Sequence, residues 1–136
     1  RDHYLFKREK GEKRIMIITI CGSSRFKDAI LESARQLTLQ GHIVLAPFVF
    51  HHAEEQELNI ETKIRLDNLH KEKINMSDGI FVVNVDGYIG ESTYSEIDWA
   101  QRMKKQVFFL VEPEKPEPVE KPDVEPVVNS EEDSGE

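Results

Sequence analysis

The chain is short of cysteine, of long apolar runs, and of proline outside its last stretch. Each shortage closes off a class of protein. One residue in 136 is cysteine, Cys21, so no disulfide framework can form within the chain. Cys21 ends an apolar run and reads as a small core residue rather than a thiol nucleophile. No apolar stretch approaches the roughly 20 residues that a membrane-spanning helix needs. No secretory signal pattern is visible. The expectation is therefore a soluble, cytoplasmic protein with no membrane partner. No basic patch interleaved with aromatic residues is present, which argues against a polymeric nucleic acid as partner.

Charge is present but unevenly placed. The sequence holds 26 acidic and 18 basic side chains, a formal net charge of −8. Ten of the acidic and two of the basic residues fall in 112–136, which leaves 16 of each sign in 1–111. The acidity thus belongs to the tail and says little about what the remainder binds. Five of the six prolines lie in the same stretch, which has no aromatic residue. A segment of this composition buries too little apolar surface to offset the entropy of ordering it. Residues 113–136 are read as a disordered acidic, Pro-rich tail and 1–13 as a flexible N-terminal segment. Residues 14–112 are read as one α/β domain.

Within 14–112, short β-branched runs alternate with helical patterns. "RIMIITIC" (14–21), "HIVLA" (42–46), "GIFVVNV" (79–85) and "QVFFLVE" (106–112) read as buried parallel strands. Between the first two, Phe26, Ala29, Ile30, Ala34 and Leu37 recur at helical spacing, and Gly41 stands where a C-terminal cap belongs. A second helix is expected from about Asn59 to Met76, with Ile60, Ile64, Leu69 and Ile74 turned inward, and a third from Thr93 to Lys105. Residues 47–58 read as a loop. The order β-α-β-α-β-α-β implies a single doubly wound, Rossmann-like parallel sheet with helices on both faces.

In such sheets ligands bind beyond the carboxyl ends of the strands, where strand order reverses. With strands 2 and 3 on opposite sides of strand 1, that switch lies between strands 1 and 3. The loops "CGSSR" and "NVDGYIGES" then face one another. Gly22 allows close backbone approach, Ser23 and Ser24 offer hydroxyls, Arg25 offers a forked cation, and a helix begins nearby. An anion such as phosphate is a suitable guest. The bland alternative is that Ser23 or Ser24 caps that helix and Arg25 is solvated. Thr93 and Glu96 have the Thr-x-x-Glu spacing of a capping box, which would account for Glu96. Glu91 has no structural role that the sequence supplies, and Asp78 suits a turn or cap. His70, one turn past Asp67, suits a helix surface or a half-buried position. His51, His52, Glu54 and Glu55 match no zinc spacing, and neither metal nor cofactor is expected.

Three stretches, "TICGSSRF", "LHKEKINMSDGIFVVNV" and "GYIGESTYSEIDWA", carry a resemblance. Together, over about residues 15–112, they are similar to the nucleoside 2-deoxyribosyltransferase superfamily, which includes the 2′-deoxynucleoside 5′-phosphate N-hydrolases. The resemblance implies the doubly wound fold and a homodimer or higher homo-oligomer. It also implies an N-glycosidase whose partner is a small molecule, and which cleaves the base–sugar bond of a (deoxy)nucleoside 5′-monophosphate. Glu96 then falls at the family's nucleophile, which attacks the anomeric carbon and forms a glycosyl-enzyme that water resolves. His70 falls where the hydrolases place an acid that protonates the leaving base, and Asp67 is the alternative. Candidate substrate-binding residues are Cys21, Gly22, Ser23, Ser24 and Arg25 on one loop, with Asn84, Gly87, Tyr88, Gly90, Glu91 and Ser92 on the other. Gly90 stands where the nucleotide hydrolases carry a serine. Other activities compatible with the likeness are base exchange between nucleosides and non-catalytic nucleotide sensing.

Overall fold

The computed structural model describes residues 14–47 and 58–114. The expected N-terminal segment, the expected tail apart from residues 113–114, and most of the expected loop at 47–58 lie outside them. Four strands are described: β1 (Ile17–Gly22), β2 (Ile43–Leu45), β3 (Gly79–Val83) and β4 (Gln106–Phe109). Three helices alternate with them: α1 (Lys27–Leu39), α2 (Ile60–Asn75) and α3 (Glu91–Arg102). The sheet order is β2-β1-β3-β4 and every pairing is parallel. This is the doubly wound α/β arrangement, with the reversal of strand order between β1 and β3.

Alternation along the strands divides the core in two. Ile18 and Ile20 of β1 and Phe81 and Val83 of β3 turn to one face, where they meet Ile30 and Leu37 of α1. Cys21, Ile80 and Val82 turn to the other, where Ile74 of α2 and Ile97 and Ala100 of α3 cover them. Both faces are therefore dry, which is why the strands read as continuous apolar runs. Asp78 does more than make a turn. Its carboxylate accepts from the Ile17 N–H at 2.8 Å and its own N–H donates to the Ile17 carbonyl at 2.7 Å, fixing the start of β3 against β1.

Two expected features differ. Of the residues expected to turn inward on α2, Ile74 is buried but Ile60, Ile64 and Leu69 are 74%, 57% and 53% exposed. The helix rests on the sheet through its C-terminal end, while its earlier turns overhang the strand ends. The third helix begins at Glu91 rather than Thr93 and stops at Arg102. Lys104 takes a left-handed φ of 61°, so the chain turns there without the glycine that would have marked the stop. No helix among the described residues is long and apolar enough to cross a membrane.

The packing of α1 supplies a test. Leu37 is fully buried and Leu39, on the same helix, is 71% exposed. Leu37→Ala is expected to destabilise the protein by about 2–5 kcal/mol, and Leu39→Ala by less than about 0.5 kcal/mol. Denaturant unfolding of both variants measures the difference.

Candidate active site

The cleft begins where β1 and β3 end side by side. Gly22 pairs with Val83, and a Cβ on Gly22 would sit 3.1 Å from the Val83 carbonyl oxygen and 3.2 Å from its Cβ. Glycine is needed there for close strand approach. After Gly22 the Ser23 side chain accepts from the Arg25 N–H at 3.3 Å, which caps a short 3-10 turn, Ser24–Phe26. The capping role foreseen for this loop thus falls on Ser23, but on the 3-10 turn rather than on α1. On the other side the chain leaves β3 through Asp86 and Gly87, both at positive φ (55° and 81°). Those two residues reverse its course and deliver it to Gly90, the backbone cap of α3. The two loops are clasped together at Tyr88. Its ring lies under the Arg25 guanidinium at 4.7 Å and edge-on to Phe26 at 5.8 Å.

Because α3 starts at Glu91, Glu96 lies in its second turn and not in a capping box. No side chain caps this helix start. The carboxylate turns inward and is 9% exposed. Its Oε1 stands 3.9 Å from Nε2 of His70, and that same nitrogen is 3.6 Å from the Cys21 thiol. Burial pushes the Glu96 carboxyl up to about 7; Asp67 adds to the rise, while the Cys21 thiol and Lys71 oppose it. Burial, with Lys73 nearby, pushes His70 down to about 4, Asp67 opposing. The ring is therefore neutral at pH 7, and its contact with Glu96 is not an ion pair there. Burial and the adjacent Glu96 also raise the Cys21 thiol well above its usual range. All three groups are driven toward their uncharged forms by the same loss of water.

The cleft above Glu96 has a volume of about 950 Å³. Of the expected site residues, Gly22, Ser23, Ser24, Asp67, His70, Tyr88, Gly90, Glu91, Ser92 and Glu96 line it. Cys21 is fully buried in the core on the α2–α3 face, its thiol against His70. Arg25 lies over Tyr88, whose ring lines the cleft. Gly87 shapes the turn. Asn84 has a different duty from the expected one. Its amide donates to the Val111 carbonyl at 2.8 Å and accepts from the Val111 N–H at 2.9 Å, so it anchors the chain beyond β4. Lys73 was not foreseen; it lines the cleft and its ammonium donates to the Ala46 carbonyl at 2.9 Å. Its place three residues after His70 on a helix was the available signal. His51, His52, Glu54 and Glu55 lie outside the described residues. Among the described residues, Cys21, His70 and Glu96 are a group whose donor atoms all lie within 4.8 Å of one another, a spacing that suits a metal ion.

A buried carboxyl that resists ionisation has a signature in stability. Between pH 4.5, the ordinary Glu value, and about 7, the folded chain keeps a proton that the unfolded chain releases. Stability contributed at this position therefore falls as pH rises through that window and stays lower above it. In metal-free buffer, Glu96→Gln is expected to stabilise the protein at pH 8 by up to about 3 kcal/mol and to change little at pH 4. Urea unfolding at the two pH values measures this. Destabilisation at both would mean that Glu96 supports the fold.

No protein-family model and no curated protein matches the chain.

Proposed function

We propose that the chain is an N-glycosidase that cleaves the bond between base and sugar in a nucleoside 5′-monophosphate, through a covalent bond from the sugar to Glu96. The observation that carries this reading is the placement of Glu96. It is a carboxyl nearly cut off from water, free of capping duty and beside a neutral imidazole, in a cleft at the switch point of the sheet. A group kept there at a cost in stability has the character of a functional one.

In the first step a Glu96 oxygen bonds to the anomeric carbon as the bond to the base breaks, and the base leaves with the electron pair. The carboxylate offsets the positive charge that develops on the sugar. The base needs a proton. At pH 5–6 the Glu96–His70 pair holds one, and transfer of it from Glu96 to His70 as substrate binds leaves a carboxylate nucleophile and an imidazolium acid together. In the second step water attacks the same carbon, its proton passes to His70, and Glu96 departs as carboxylate. Ser23 and Ser24 on the cleft wall and Arg25 beside Tyr88 are suited to hold the phosphate. Base exchange would use the same intermediate with a second base in place of water. Free base released without added acceptor separates hydrolysis from exchange.

Chromatographic measurement of base release from a series of 5′-monophosphates is the direct test. Glu96→Ala is expected to lower turnover by more than about a hundredfold; a folded variant with near-normal release would end the proposal. For the parent, kcat/KM is expected to be bell-shaped, with limbs near pH 4 and 7 that belong to the pair jointly. His70→Asn should slow release by about 10² to 10⁴ and remove the alkaline limb. Should the limb survive in His70→Asn and vanish in Asp67→Asn, Asp67 is the acid.

Arg25 is tested by substrate choice. One charge-assisted contact is worth roughly 1.5–3 kcal/mol, so Arg25→Ala should weaken kcat/KM on monophosphates by about tenfold to a hundredfold and spare unphosphorylated nucleosides. Equal loss on both would make Arg25 structural.

A further inference from the structure

We propose that Cys21, His70 and Glu96 form a binding site for a thiophilic divalent cation, Zn²⁺ being the natural candidate, and that the bound ion shuts the cleft down by occupying Glu96. The inhibitory half rests on the N-glycosidase reading. The binding half does not.

The three side chains come from different elements, Cys21 from β1, His70 from α2 and Glu96 from α3. Cys21 and His70 are 49 residues apart, so no short ligand motif marks them. Their donors are a sulfur, an imidazole nitrogen and a carboxylate oxygen, the set that zinc prefers. With bonds of roughly 2.3 Å to sulfur and 2.0–2.1 Å to nitrogen or oxygen, tetrahedral ligation puts sulfur and nitrogen about 3.5 Å apart and nitrogen and oxygen about 3.3 Å apart. Here Sγ to Nε2 is 3.6 Å and Nε2 to Oε1 is 3.9 Å. The first edge already has the length that an ion imposes. The second edge, and the sulfur–oxygen edge, which is no longer than 4.8 Å, both shorten by rotation of the Glu96 side chain, which borders the cleft.

Packing alone asks for less than this. Cys21 lies within the sheet among Ile80, Val82 and Ile74, where any small apolar side chain would serve. A thiol turned onto an imidazole, with a carboxyl beside them, is a ligand set and not an apolar filling. His70 and Glu96 both border the cleft, so an ion held between them would be within reach of a water or small ligand that enters it. Three protein ligands with one open position is a known zinc arrangement. Binding releases the thiol proton, together with the Glu96 proton where that group still holds one. An ion so held uses the oxygen that would attack the sugar and removes the lone pair of His70.

The 136-residue chain, first stripped with a chelator, is titrated with Co²⁺, which absorbs where Zn²⁺ does not. Cys21 is the sole cysteine, so a thiolate-to-cobalt charge-transfer band reports this site alone. The expected result is a band that saturates at one ion per chain, is displaced by Zn²⁺, and is absent from Cys21→Ala. His70→Asn should weaken binding by more than about tenfold, since even an outer partner of a ligand costs that much. Thermal melts of each variant establish that it is folded. Saturation with Co²⁺ without the band would overturn the site, even if the ion bound at histidines elsewhere. Zn²⁺ should also abolish base release, a chelator should restore it, and the release that Cys21→Ala retains should be insensitive to Zn²⁺. A band accompanied by undiminished base release would overturn the inhibitory half. Failure of the glycosidase reading looks different, as a metal-free protein that releases no base while the titration still decides the site.

Discussion

The parallel pairing of β1 with β3 is the constraint from which the rest follows. It runs from Ile18 opposite Gly79 to Gly22 opposite Val83, so the two strands end together and their loops leave side by side. The same pairing makes β1 the point where strand order reverses, which sends α1 to one face of the sheet and α2 and α3 to the other. The cleft is the gap between those loops under the overhang of α2. A side chain on Gly22 would meet the backbone of Val83 and widen that gap.

Burial then sets the chemistry. Glu96, His70 and Cys21 share one poorly hydrated pocket, and each moves toward its neutral form. A carboxyl raised to about 7 beside an imidazole lowered to about 4 gives a pair that holds one proton over the interval between. Neither group is then locked into an ion pair before a ligand arrives. The same uncharged imidazole and nearby thiol suit a metal ion. The two proposals are thus rival occupancies of one piece of low-dielectric space, organic substrate in one case and cation in the other.

Much of the fold follows from local pattern. The apolar runs are the strands, and Asn59, whose side chain accepts from the Thr62 N–H, starts α2 where expected. The misreadings have physical causes. Thr93 and Glu96 satisfy the spacing of a capping box, but two left-handed residues, Asp86 and Gly87, turn the chain early and the backbone of Gly90 opens the helix. Asn84 looked like a ligand contact because it stands in a glycine-bearing loop; its partner, Val111, is 27 residues away and invisible to local reasoning. Cys21 was read as core, and it is. It lies on the face opposite Ile20, and the arrival of His70 and Glu96 on that face depends on how two helices cross the sheet.

The most direct measurement is the intact mass of the protein quenched during turnover of a 5′-monophosphate, followed by peptide mapping. The expected result is an added sugar phosphate on the peptide that contains Glu96, absent from Glu96→Ala. Base release with no adduct at any time, or with an adduct on another residue, would contradict a covalent route through Glu96.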